Sequence, residues 1–202
     1  MKIMAIVGSP RKGSNTDILI DKVIEGAQSK TEVDVEKLYL YDANIKYCNG
    51  CGAHSILQGS KDCPLPDDME GILKRMQEAD GFIFGSPNHG RTISAGMTNF
   101  FSRMMPLLKM HVERDDAGNI VHAEARPLIR GKKAVIVVSQ GDNVASSSAL
   151  VLLILEANLR DFHLRKVGEV FSMFNLNRAQ VKDKADDLNT AFAAGVRLAT
   201  AR

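Results

Sequence analysis

Five short apolar runs punctuate the chain, and most are followed by a stretch in which apolar residues return every three to four positions. Residues 3–7 (Ile-Met-Ala-Ile-Val) are continuously apolar, as expected of a strand covered on both faces of a parallel sheet. Leu19, Val23 and Ala27, with Ile20 and Ile24 beside them, predict a helix that opens near Asn15 and runs to residue 28. Residues 33–40 set Val33, Val35, Lys37 and Tyr39 against Asp34, Glu36, Leu38 and Leu40, an imperfect alternation that suits a strand nearer the edge. Asp67 and Asp68 are placed to cap a helix through residue 79, with Met69, Ile72, Leu73 and Met76 on one face. Residues 81–85 read as a third buried strand. The helix predicted after it, 94–108, carries Met97, Phe100, Phe101, Met104 and Met105. A fourth strand falls at 133–139, a strongly apolar and therefore buried helix at 149–159, and a fifth strand at 166–173. The closing helix, 178–201, puts Val181, Ala185, Leu188, Phe192 and Val196 on one stripe. Five strands alternating with helices predict a doubly wound α/β sheet.

Two segments break this rhythm. Residues 42–66 follow neither period and hold all three cysteines, Cys48, Cys51 and Cys63. Residues 109–130 contain a turn sequence, Asp115-Asp116-Ala117-Gly118-Asn119, between His111-Val112-Glu113 and Ile120-Val121-His122. A β-hairpin there would be either a solvated excursion or an arm against a second subunit. The 202 residues suit a single domain carrying these two insertions.

Composition narrows the function classes. A formal net charge of +2 gives no argument for a nucleic-acid partner. No apolar run approaches the roughly 20 residues that span a bilayer, so no membrane partner is expected. The apolar N-terminal stretch is short and ends in a loop, which reads as a strand and not as a signal peptide. An odd number of cysteines argues for a reducing interior and against a disulfide framework. The expectation is a cytoplasmic protein.

Candidate chemistry centres on GSPRKGSNT, residues 8–16, between the first strand and the first helix. Gly8 and Gly13 permit backbone angles that other residues resist; Ser9, Ser14, Asn15 and Thr16 offer donors; Arg11 and Lys12 add positive charge. A helix starting at the loop's end adds unpaired N–H groups and its positive dipole end, which together suit a phosphate. The stretch fits neither GxxxxGK[ST] nor GxGxxG, and a hydroxyl-rich loop without the P-loop lysine favours a terminal monophosphate over a triphosphate with magnesium. An ordinary polar turn with a Ser/Asn helix cap is the other reading. Polar loops also follow the third strand (SPNHGRTISAG) and the fourth (SQGDN). In the strand order 2-1-3-4-5 these three loops open on one crevice at the topological switch point.

These motifs, together with Cys48-x-x-Cys51 leading to Asp67-Asp68 and ADGFIFGSP at 79–87, resemble the NADPH-dependent FMN reductase and iron–sulfur flavoprotein group. The resemblance covers nearly the whole domain and implies a flavodoxin-like five-stranded parallel sheet with helices on both faces. It implies FMN, with phosphate held by Ser9, Arg11, Ser14, Asn15 and Thr16. The isoalloxazine ring would contact Pro87, Asn88, His89, Gly90 and Arg91, with Gln140 and Gly141 adjacent. It also implies NAD(P)H as electron donor, a flavin, quinone or similar acceptor, and a homodimer or homotetramer, for which 109–130 is the candidate contact. No catalytic side chain is expected, because a flavin carries hydride and electron transfer itself.

Departures from the group are visible. His89 stands where an aromatic residue, often Tyr, is usual, and can be a ring contact or a surface-loop histidine; Thr98 and Ser102 stand where Lys and Asp are typical. Cluster-binding members use four cysteines in a compact run. Here Cys48, Cys51 and Cys63 can take three places while His54 holds the other. Iron–sulfur or zinc ligation, a redox pair and a merely structural loop stay open, and no residue is assigned to a metal. A non-enzymatic electron carrier docking to a protein partner is the rival to the reductase, and a cysteine-based sensor is a third reading.

Overall fold

The computed structural model describes residues 1–55 and 62–201; residues 56–61 of the cysteine-bearing segment 42–66 lie outside them. In chain order the elements are β1 (Lys2–Val7), α1 (Asn15–Gln28), β2 (Asp34–Tyr39), α2 (Met69–Glu78), β3 (Gly81–Pro87) and α3 (Ala95–Arg103). There follow β4 (Leu108–Arg114), β5 (Ile120–Pro127), β6 (Lys133–Ser139), α4 (Ala149–Asp161), β7 (Arg165–Ser172) and α5 (Ala185–Thr200). The main sheet is parallel in the order β2-β1-β3-β6-β7, while β4 and β5 pair antiparallel as a separate two-stranded ribbon. With the ribbon set aside, this is the order 2-1-3-4-5 of the flavodoxin-like sheet, its edge strand β2 included.

The uninterrupted apolar run of β1 follows from having two cores to serve. Met4 and Ile6 enter the layer shared with α2, α3 and α4, whereas Ile3, Ala5 and Val7 enter the layer shared with α1 and α5. Lys37 and Tyr39 of β2 reach the buried carboxylate of Asp17 on α1, and Leu38 and Leu40 face the opposite layer. Val35 and Tyr39 also pack on the α1 layer beside the Lys37–Asp17 contact, so the imperfect alternation reflects two partly covered faces.

Three helices differ from the pattern reading. The buried stripe of α5 is Ala191, Ala194, Gly195 and Leu198; Leu188, Phe192 and Val196 are only partly buried, and Ala185 is exposed. The cause is a close helix crossing. A Cβ on Gly195 would lie 1.9 Å from the Val23 carbonyl oxygen, and one on Gly26 would lie 2.0 Å from that of Phe192. Where two backbones touch, the smallest side chains must face inward. Helix α4 buries a single stripe, Val151, Leu155 and Leu159, and leaves Leu150 and Leu153 exposed, because the sheet covers it from one side only. Helix α3 stops at Arg103 and gives way to a 3₁₀ turn over Met105–Leu107. Pro106 cannot donate to a continuing α-helical ladder. No helix among the described residues is long and apolar enough to cross a membrane.

Candidate functional site

A crevice of about 270 Å³ opens beyond the carboxyl ends of β1, β3, β6 and β7. It is lined from the first loop by Ser9, Arg11, Ser14, Asn15 and Thr16, from the third-strand loop by Pro87, Asn88 and His89, and from the β6 loop by Ser139, Gln140 and Gly141. Gly90 and Arg91 form the exposed tip of their loop and are not in this lining. A fourth group, Asn175, Leu176, Asn177 and Arg178 from the loop after β7, completes the wall.

Local hydrogen bonds set the first loop. Gly13 turns with φ +66°, and its N–H donates to Asp17 Oδ2 at 2.7 Å. Asp17 is buried and also receives Lys37 Nζ at 2.7 Å, while Asp21 takes the same ammonium at 2.6 Å. Burial would lower the pKa of Lys37, but its bonds to Asp17, Asp21 and Tyr39 hold it above the usual lysine value. Ser9 and Ser14 share a hydroxyl contact at 2.9 Å, and Thr16 meets Ser139 at 2.8 Å, which joins the β1 and β6 loops. Ser14 occupies the N-cap of α1 without a side-chain capping bond. The opening N–H groups of the helix thus lack that partner, and Ser14, Asn15 and Thr16, at the positive end of the dipole, line the crevice.

Lys12 and Asn15 do something other than the loop sequence suggests. Lys12 pairs with Asp42 over the Tyr39 ring and is absent from the crevice lining. The Asn15 amide donates to the Asn177 carbonyl at 2.9 Å and accepts the Val181 N–H at 3.0 Å, clipping the β7 loop to the first loop. The Asn15 side chain thus ties loops together, leaving its backbone N–H and the second amide hydrogen for a ligand.

The third-strand loop is a two-residue turn. His89 and Thr92 bridge antiparallel around Gly90 (φ 61°) and Arg91 (φ 67°), and Asn88 Oδ1 accepts the Arg91 N–H at 2.9 Å. Asn88 Nδ2 donates to the Ser147 carbonyl and the Ser148 hydroxyl. Gln140 is buried, its Nε2 donating to the Asp142 carboxylate and the Val144 carbonyl and its Oε1 accepting from Ser148. The amides of Asn88 and Gln140 thus brace the wall. Burial, then the charge of Arg11, keeps the His89 imidazole below its ordinary pKa, so it is neutral at neutral pH. Asn175 Oδ1 is buried and finds no donor, since its Nδ2 is held by the Ser172 carbonyl and hydroxyl.

His89 also borders a second, wider depression, shared with Tyr41, Tyr47, Cys48, Thr92, Ile93, Thr98, Asn99 and Ser102. The cysteine-bearing segment reaches it because Asn99 and Arg103 of α3 hold residues 45–48: Asn99 Oδ1 accepts the Cys48 N–H, and Arg103 donates to the Lys46 carbonyl. Arg103 is fully buried against Asp67, at 2.6 and 3.0 Å. Asp67 caps α2 through the Met69 N–H, as expected, whereas the Asp68 side chain turns to the Asn44 N–H. None of the three cysteines forms a disulfide. Among the described residues no group of three or more His, Cys, Asp or Glu is placed to hold a metal, so the ligand set for a cluster is not assembled there.

The β7 loop is the part that sequence reasoning missed. The pattern reading ended the strand at residue 173 and placed Arg178 at the start of a helix. In the structure 173–179 is an irregular loop with Phe174 and Ala179 at positive φ. The available signal was three polar residues, Asn175, Asn177 and Arg178, after a strand that ends beside a ligand crevice.

Comparison with known proteins agrees with this architecture. Residues 1–184 match the protein family described as NADPH-dependent FMN reductase. The chain is 36% identical over 107 residues to an iron–sulfur flavoprotein of Methanocaldococcus jannaschii, covering 53% of each chain. It is 26% identical over 112 residues to an NAD(P)H-dependent FAD/FMN reductase of Geobacillus thermodenitrificans, covering 55% of each. These matches span about half the length of the relatives. Among solved structures, an NAD(P)H:quinone oxidoreductase from Methanothermobacter marburgensis superposes with a TM-score of 0.73 at 18% identity, covering 98% of both chains.

Proposed function

Because the chain belongs to the NADPH-dependent FMN reductase family, we propose that it is an FMN-binding oxidoreductase, taking hydride from NAD(P)H and passing electrons to a flavin, quinone or similar acceptor. The observation that carries the reading is the uncapped N-terminus of α1, opening into a crevice that no Asp or Glu among the described residues lines. That environment suits a phosphate dianion and disfavours a cationic ligand. Bound FMN would supply the redox chemistry itself.

The chain's own residues would hold and orient it. Ser9, Ser14 and Thr16, with Arg11 and the N–H groups of Asn15 and Thr16, would take the phosphate. Pro87 to Arg91 would present a rigid turn to the ring, its shape fixed by Asn88, with Gln140 bracing Gly141 beside it. A neutral His89 can stack on a ring or donate one hydrogen bond without adding charge. The Tyr41–Ser102 depression on the other side of His89 offers room for nicotinamide or acceptor. The chain's exposed ribbon and the uncovered face of α4 support assembly as a homodimer or homotetramer.

The test is an anaerobic absorption spectrum of purified protein reconstituted with FMN, before and after NADPH or NADH. A flavin spectrum bleached by either nicotinamide is expected. Flavin that ignores both but accepts electrons from a reduced ferredoxin-type donor would replace the enzyme by an electron carrier. Failure to take up FMN would overturn the cofactor itself.

A further inference from the structure

We propose that the β7 loop closes the phosphate end of the crevice and that Arg178 supplies it with a second guanidinium. The inference rests on the FMN reading above and adds a residue that the loop at 8–16 does not contain. Arg178 and Arg11 both line the crevice. Among the described residues neither has an ion-pair partner, whereas the neighbouring Lys12 is tied to Asp42. Two uncompensated cations in a crevice without acids are a stronger anion site than one.

The placement of Arg178 is built. Its guanidinium donates to the Lys12 carbonyl and would lie 3.5 Å from a Cβ on Gly13. The Asn15 clip to Asn177 and Val181 brackets it on both sides in sequence. Ala179 next to it sits at φ 61°, a conformation costly for a residue with a side chain and kept only where the surroundings impose it. One nitrogen on the Lys12 carbonyl leaves the remaining donors of the fork for a ligand oxygen, and a phosphate accepts such a fork well.

The phosphomonoester could belong to FMN or to the 2′-position of NADPH; the proposal commits to FMN, because Arg178 lines the same crevice as Ser9 and Ser14 of the loop proposed to hold the FMN phosphate. The experiment titrates the apoprotein with FMN and with riboflavin, which lacks only the phosphate, by flavin fluorescence, for wild type, Arg178→Gln and Arg178→Lys. Glutamine removes the charge and, ending two bonds short of the donating guanidinium nitrogen, also the bond to the Lys12 carbonyl, so riboflavin serves as the control for the lost tie between loops. Expected for Arg178→Gln is a roughly tenfold weaker affinity for FMN, riboflavin within twofold of wild type, and a shallower salt dependence of FMN binding. Arg178→Lys should recover part of the loss. An unchanged FMN-to-riboflavin ratio in Arg178→Gln overturns the proposal, as does an unchanged ratio with a loss of NADPH over NADH preference. Equal weakening of both flavins would make Arg178 a loop tie only, which also overturns it. Wild-type protein that binds neither flavin would sink the FMN reading instead.

Discussion

Replacing Gly195 with alanine tests whether the backbone contact between α1 and α5 constrains the fold. The new Cβ would stand 1.9 Å from the Val23 carbonyl oxygen and 2.8 Å from the Ala27 nitrogen, both backbone atoms of α1. Backbone cannot swing aside as a side chain can, so the helices must separate by at least about 1 Å across a close-packed interface. Overpacking typically costs about 1–3 kcal/mol, and a clash with main chain belongs at the upper end or beyond. The gain in helix propensity from Gly to Ala returns about 1 kcal/mol. The net expectation is a loss of about 2–3 kcal/mol, or roughly 5–10 °C in Tm for a domain of this size. Gly71→Ala in α2 is the matched control. Gly71 is exposed, and the nearest atom to its new Cβ would be the far end of the Arg75 side chain, paired with Glu36, at 3.3 Å, so the same propensity gain should appear as a small stabilisation of about 0.5–1 kcal/mol. Thermal unfolding followed by circular dichroism reads both. If Gly195→Ala melts within a degree of wild type, or both variants shift the same way, the backbone contact is not the constraint described here.

Other consequences are open to direct measurement. Asp67→Asn leaves the Arg103 charge buried without its partner and should cost about 3–5 kcal/mol at neutral pH by urea titration. Burial alone would raise the Asp67 carboxyl, but Arg103 and the Lys46 and Met69 N–H groups hold it below the usual range. Its contribution is therefore complete above about pH 4, the unfolded aspartate value, and is lost as pH falls through the folded pKa. The gap between wild type and Asp67→Asn should narrow as pH falls below about 4; a gap as wide in acid as at neutral pH refutes the linkage. Asp17→Ala removes the acceptor of the Gly13 N–H and one of two carboxylates on Lys37. Because Asp21 still holds that ammonium, a smaller loss of about 2–3 kcal/mol is expected, together with weaker FMN uptake; an unchanged flavin affinity would detach Asp17 from the loop's shape. If the outer face of α4 is covered in an assembly, Leu150→Glu with Leu153→Glu should lower the mass seen by light scattering while leaving the unfolding free energy within about 1 kcal/mol of wild type. An unchanged mass would direct attention to the ribbon.

What the sequence made legible, and what it hid, divides by the range of the interactions. The run at residues 3–7 and the loop at 8–16 are local signals: an apolar strand must be covered on both faces, and a Gly/Ser loop before a helix announces its own backbone geometry. Three loops could be placed on one crevice because alternation predicts a doubly wound sheet, and the flavodoxin-like order that the chain resembles sets the first, third and fourth strands side by side. The stripe on α5 misled because periodicity weights the largest apolar residues, whereas contact with α1 is made through Gly26 and Gly195, whose importance is visible only when the two backbones meet. Helix α4 reads as buried because Leu150 and Leu153 are apolar, yet a helix on one side of a sheet has only one inward stripe. The hardest part was Asn15, whose side chain reaches Asn177, 162 residues away in the chain. Read locally, its amide belongs to the ligand; in the fold it is the hinge pin that brings Arg178 to the same crevice. The residues that suggest the proposed phosphate site therefore lie together in sequence, while those proposed to close it come from a loop more than 150 residues later, and a change in either should be felt by the other through Asn15.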